Sequence, residues 1–405
     1  MFLGGAPFCL PENMCYILGM ARRIYLDYAS LTPIDPRVTK EIGVYAASAY
    51  ANPSSLYKEG VAAKKVVAAS RASVASAIHA QPDEIIFTSG GTEANNLALS
   101  GVIQAARVAG IERPHVIISA IEHSSILEMT AALEGWGCEV TQIPVDIHGI
   151  VDLNELKKSF KPHTVLVSIM MVNNEVGSIQ PIAEVAHLVR KERNARPGLE
   201  SKYPMLHTDA AQAFLFQDVL VEKLGVDLLT LDAGKVYGPR GMGCLYVKRG
   251  IPIRATTYGG GQEKGLRSGT ENVPGIAGFA KAVTLAVEER IEETDRIKTL
   301  RDMFINELKE IRPDIQVNGG DEDMQSPHIA NVSIPGIDNE FFLFQLDARG
   351  IACSTKSSCL RDAEESYVLR AMKVDSGTSL RFSFGRWTTK GDIRAATKAI
   401  RSVFF

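Results

Sequence analysis

The stretch Glu84-Ile85-Ile86-Phe87-Thr88-Ser89-Gly90-Gly91-Thr92-Glu93 decides how the rest of the chain is read. Its apolar and β-branched run is bounded by turn residues, the pattern of a strand buried on both faces. Gly90-Gly91-Thr92-Glu93 then makes a turn, and residues 94–108 follow a helical pattern. Upstream, residues 57–80 are Ala-rich with interspersed basic residues and read as a helix that Gln81-Pro82-Asp83 stops. Downstream the alternation continues. Strands are expected at 115–119, 138–145, 164–172, 205–209 and 227–231, and helices at 124–133, 152–160 and 182–193. Strands alternating with helices over this length imply a mostly parallel sheet covered on both faces. Such a sheet binds ligands at the carboxyl ends of its strands, here loops 89–92, 120–124, 173–177, 209–212 and 232–238.

Residues 274–310 read as one or more long helices. Beyond them strands at 329–334 and 380–384 and helices at 339–348 and 389–402 suit a smaller α+β domain. The expected organisation is an N-terminal extension over 1–23, a large α/β domain over 36–287, and a small domain from 24–35 with 288–405. The extension reads as a disordered leader or a misassigned start, with Met20 just before the patterned sequence.

The composition, 45% hydrophobic and 22% charged over 405 residues, excludes a disordered chain, a collagen-like repeat and a disulfide-rich miniprotein. Lys and Arg number 44 against 47 Asp and Glu, so the average charge supplies no attraction for nucleic acid. The six cysteines, at 9, 15, 138, 244, 353 and 359, form no pair or cluster at metal-ligand spacing. They read as free thiols in a reducing compartment, with no metal site expected. No apolar run approaches the ~20 residues of a membrane span, and the first residues lack the basic front end of a signal peptide. A cytoplasmic protein with no membrane partner is expected.

Each of the five loops carries polar residues. Gly90-Gly91-Thr92 brings flexible backbone, a hydroxyl and the start of a helix. His123 and the pair Asn173-Asn174 stand after further strands. Asp209 ends a buried strand, which is costly unless it meets a cation or several donors. Lys235 lies just beyond the next strand. Taken singly, each has an ordinary structural explanation. Together they meet the four demands of pyridoxal phosphate. Lys235 offers an amine for the aldehyde, and Asp209 a carboxylate for the ring nitrogen. His123 offers a flat partner for the ring face, and the 90–92 turn donors for the phosphate.

Longer stretches carry a resemblance. They include Tyr25-Leu-Asp-Tyr28, Thr32-Pro-Ile-Asp-Pro36, Asn52-Pro-Ser54, Phe87-Thr-Ser-Gly90 and Val172-Asn-Asn-Glu-Val-Gly177. Further on come Gly259-Gly-Gly261, Arg267-Ser-Gly-Thr270, Ser366-Tyr-Val-Leu-Arg370 and Leu380-Arg-Phe-Ser-Phe-Gly-Arg386. Over about 24–403 the chain resembles the cysteine desulfurases, class-V aminotransferase relatives of pyridoxal-phosphate fold type I. The resemblance implies a large domain with a mostly parallel sheet, a smaller α+β domain and a homodimer. Lys235 would be the Schiff-base lysine, Asp209 the partner of the ring nitrogen, and His123 the stacking and proton-moving residue. Asn174 and Gln212 would face the ring hydroxyl, Asn174 also touching substrate, and Gly91 and Thr92 would hold the phosphate. Thr270 would reach the neighbouring subunit's phosphate. Arg381 would clamp the substrate carboxylate with support from Asn52. Cys359 would take sulfur from L-cysteine as a persulfide, releasing alanine, and pass it to a cluster scaffold or a tRNA-thiolation enzyme.

The chain departs from the family pattern in two places. Asp232-Ala233-Gly234 stands where relatives carry Ser-Gly-His, putting a negative charge near another unless it points away or meets a cation. The segment before Cys359 has Lys356 in place of a glycine, and the run after it is one residue shorter. Two rival readings follow. One is another fold-type-I enzyme, an aminotransferase or a selenocysteine or cysteine-sulfinate lyase. The other is a catalytically weak homologue acting as a binding partner.

Overall fold

The computed structural model describes residues 23–198, 202–355 and 365–404. Cys359, Lys356 and residues 1–22 lie outside these, so the expectations for them have no structural counterpart below. The strands in chain order are β1 (Ile24–Tyr25), β2 (Ile85–Thr88), β3 (His115–Ser119), β4 (Glu139–Ile143), β5 (Thr164–Ser168) and β6 (Met205–Asp209). They continue with β7 (Leu228–Asp232), β8 (Gly243–Val247), β9 (Gln316–Asn318), β10 (Ile329–Ser333), β11 (Ile351–Ala352) and β12 (Ser379–Ser383).

Seven strands form the central sheet in the order β2-β8-β7-β6-β5-β3-β4. All neighbours are parallel except β8, which runs against both β2 and β7. Because β8 reverses twice, β2 runs with β7, and the loops after β2, β3, β5, β6 and β7 emerge at one edge. Side chains alternate between the faces. Ile85 and Phe87, and likewise Cys244 and Tyr246, pack in one core, while Ile86, Leu245 and Val247 pack in the other. Each such residue, when fully buried, stabilises the fold by about 1.5–3 kcal/mol. Strand β5 stops at Ser168, short of the expected 172. There the chain turns into the asparagine loop, where Asn173 Oδ1 accepts from the N–H groups of Glu175 and Val176.

Pro274 and its successors form one helix, Val273–Ile311, capped by the Asn272 side chain. Its first half places Ile276, Phe279 and Val283 against the central sheet. Its second half places Ile297, Leu300, Phe304 and Leu308 in a separate core with strands β10 and β12. That core belongs to a three-stranded antiparallel sheet, β12-β10-β9, beside the parallel pair β1–β11. The short partners β1 and β11 and the helix Pro36–Ser48 were not expected from periodicity. Among the described residues no helix is long and apolar enough to cross a membrane.

Candidate active site

The carboxyl edge of the central sheet opens into a cleft of roughly 610 Å³. All five predicted loops reach it, contributing Gly91 and Thr92, His123, Asn174, Asp209 with Gln212, and Lys235; Arg381 closes it from β12. Lys235 ends a short 3-10 turn directly after β7, and its Nζ donates to the carbonyls of Ala29 (3.0 Å) and Ser30. The β1 side of the molecule thus holds the ammonium over the cleft.

Asp209, at the end of β6, is almost fully buried. Its carboxylate accepts from Asn95 Nδ2 at 2.7 Å and from the Ala211 N–H at 2.9 Å. Those donors offset the cost of burying it. Asn95 also donates to Ser125 Oγ at 2.8 Å, which leaves the Ser125 hydroxyl proton for His123 Nδ1 at 2.8 Å. The Ser125 N–H donates to the same nitrogen at 3.2 Å. With two donors aimed at Nδ1, His123 carries its proton on Nε2. One chain of hydrogen bonds thereby runs from Asp209 to the imidazole and sets its tautomer. Sequence reasoning missed Asn95 and Ser125. The available signal was an amide on a helix face otherwise occupied by Ala94, Leu97 and Ala98.

Glu122, beside His123, is wholly buried. Its Oε1 accepts from Ser119 Oγ (2.5 Å) and the Met170 N–H (2.9 Å), whereas Oε2 has no hydrogen-bond partner. Burial pushes its pKa from 4.5 up to about 8, and the Asp209 charge acts in the same direction. The folded state therefore binds a proton that the unfolded chain has lost above pH 4.5, and stability falls as pH rises toward 8. Glu122→Gln retains the acceptor and removes the titration. It is expected to match the wild type near pH 5 and to exceed it by on the order of a few kcal/mol above pH 8. Urea unfolding midpoints at the two pH values check this, and equal midpoints at both would refute it.

Gln212 donates to the Ala29 carbonyl at 2.8 Å and lies 3.1 Å from His328 Nε2 through Oε1. Burial drives the His328 pKa down to about 3, so the ring is neutral, and it stacks on Phe216 at 4.6 Å. The neutral ring gives its Nε2 proton to Gln212 and accepts from Ser326 Oγ at Nδ1. Arg381 is 1% exposed, paired with Asp27 at 2.7 Å and donating to the Asn174 carbonyl at 2.8 Å. Its Nε and the Asn174 Oδ1 are buried without hydrogen-bond partners. Unsatisfied buried polar atoms of this kind are costly.

Asp232 meets the expectation differently from either alternative. Its carboxylate is met by backbone amides. Its Oδ2 accepts from the Gly91 N–H at 2.8 Å and its Oδ1 from the Gly234 N–H at 2.7 Å. Asn52 and Thr270 do not line the cleft. Both are exposed, Asn52 in a turn that accepts the Ser54 N–H and Thr270 beyond the Arg267–Glu93 ion pair.

The family model for class-V aminotransferases matches residues 24–395. A cysteine desulfurase IscS of Dictyoglomus turgidum is 40% identical over 92% of this chain and 92% of its own. The chain belongs to the class-V aminotransferases, among the cysteine desulfurases. A solved NifS-like protein is 34% identical with a TM-score of 0.86, covering 95% of this chain and 99% of its own. SspA, solved in complex with cysteine, is 28% identical with a TM-score of 0.76, covering 91% of this chain and all of its own. Members of the family use pyridoxal phosphate.

This cysteine desulfurase's cleft suits the cofactor at its ring end. A buried carboxylate and a lysine line it, together with Asn95 and Asn174, whose amide oxygens are buried without hydrogen-bond partners. At the phosphate end the first helix amide is already engaged by Asp232.

Proposed function

We infer that this protein is a pyridoxal-phosphate-dependent cysteine desulfurase that turns L-cysteine and an acceptor thiol into L-alanine and a persulfide. The observation that carries this reading is the convergence of Lys235, Asp209 and His123 on one cleft that the buried Arg381 also lines. When bound, the cofactor supplies an aldehyde that captures amines and a ring that withdraws electrons. Lys235 would hold it, Asp209 would keep the ring nitrogen protonated, and Gly91 and Thr92 would take the phosphate. Asn174 and Gln212 would bond the hydroxyl side. His123, its proton held on Nε2, would stack on the ring and exchange protons. Arg381 offers the substrate carboxylate a guanidinium already oriented by Asp27.

Cys359 would act as the nucleophile. A sulfur–sulfur bond forms as the substrate carbon–sulfur bond breaks, and the electron pair left on carbon takes up a proton to become the methyl group of alanine. The solved relative SspA binds the amino acid proposed here as substrate. The persulfide would pass to a sulfur-acceptor protein, a cluster scaffold or a tRNA-thiolation enzyme. Thr270, outside its own chain's cleft, would serve the neighbouring subunit of a homodimer. Leu56 and Tyr57, large and exposed beside the Asn52 turn, suit such an interface.

Product analysis tests the reading. The purified protein, supplied with L-cysteine and a thiol reductant, is expected to form alanine and sulfide in equal amounts. Pyruvate and ammonia, or a keto acid without sulfide, would mark a different fold-type-I reaction.

A further inference from the structure

The helix Gly91–Val108 opens at the cleft, so its first N–H groups and the positive end of its dipole face any anion there. In this chain that end already holds an anion. Asp232 Oδ2 takes the Gly91 N–H at 2.8 Å, and Oδ1 takes the Gly234 N–H at 2.7 Å. A Cβ placed on Gly90 or Gly91 would come within 3.3 Å of Oδ2, so the carboxylate lies directly against the glycine turn. One side chain thereby ties the phosphate end of the cleft to the turn that carries Lys235.

We propose that Asp232 competes with the cofactor's phosphate for the Gly91 amide. The phosphate must either displace the carboxylate or bind beside a like charge, and both routes reduce what the phosphate contributes to binding. This chain therefore distinguishes pyridoxal phosphate from unphosphorylated pyridoxal less sharply than it would with a neutral residue at 232. The inference rests on the reading that Lys235 holds the cofactor.

The test is a binding comparison. Apoprotein of the wild type, Asp232→Asn and Asp232→Ser is titrated with pyridoxal phosphate and with pyridoxal, followed by absorbance. The ratio of the two dissociation constants, pyridoxal over pyridoxal phosphate, is expected to rise at least about tenfold in both variants. The pyridoxal constant itself should stay within about threefold, which also shows that the variants are folded. An unchanged or smaller ratio overturns the proposal, as does a rise in only one variant, which would assign the effect to local packing. Borohydride trapping with peptide mass spectrometry separates the two levels. No adduct on Lys235 in any of the three proteins overturns the cofactor reading, and adducts with an unchanged ratio overturn only the role of Asp232.

Discussion

Lys235→Ala is expected to abolish alanine formation from L-cysteine, a loss of roughly a thousandfold or more. The amine sits at the end of a turn fixed from both sides. The Thr32 hydroxyl donates to the Gly234 carbonyl, and Asp232 accepts the Gly234 N–H. The backbone that presents position 235 should therefore survive the truncation. What disappears is the amine held at the cleft by the Ala29 and Ser30 carbonyls. Borohydride trapping followed by peptide mapping should place a cofactor adduct on Lys235 in the wild type and none in the variant. Activity retained by the variant, or an adduct on another lysine, would remove the basis of the assignment.

Cys359→Ala is expected to cut sulfide release by roughly a thousandfold or more while leaving the Lys235 adduct intact. The described cysteines offer no substitute. Cys353 lies between β11 and the bridge to Arg381, and burial, reinforced by the Asp27 charge, pushes its thiol well above the usual range. Burial also raises the Cys244 thiol in the central core, and the Cys138 thiol to a smaller extent. A thiol kept protonated is a poor nucleophile. The variant separates the reactions this fold can host. A desulfurase loses sulfur release, whereas a transaminase or a sulfinate lyase keeps its turnover. The measurement is sulfide and alanine from L-cysteine, alongside the absorbance of the bound cofactor.

Sequence and structure divide the explanation unevenly. The parallel sheet was legible because strands buried on both faces leave continuous apolar runs, as at Ile85–Phe87 and His115–Ser119, and because Gly and Pro punctuate them. β8 was equally apolar but lay outside the strand–helix alternation, so no periodic argument reached it. The small sheet was legible only in part, since β9 and β11 are too short to show a period.

What the amino-acid order alone determined was which residue types stand at which strand ends: Gly91, His123, Asn174 and Lys235 each follow a strand, and Asp209 ends one. Tertiary structure decided that β8 lies antiparallel between β2 and β7, so that the end of β2 shares the edge of β3, β5, β6 and β7, and that Asn95 and Ser125 wire Asp209 to His123 across 114 and 30 positions of chain. It also decided that Asp232 closes on the Gly91 amide instead of facing solvent. The physical reason is range. Periodicity reports burial within a few neighbouring residues, whereas hydrogen bonds between separate loops depend on where a packed sheet delivers them.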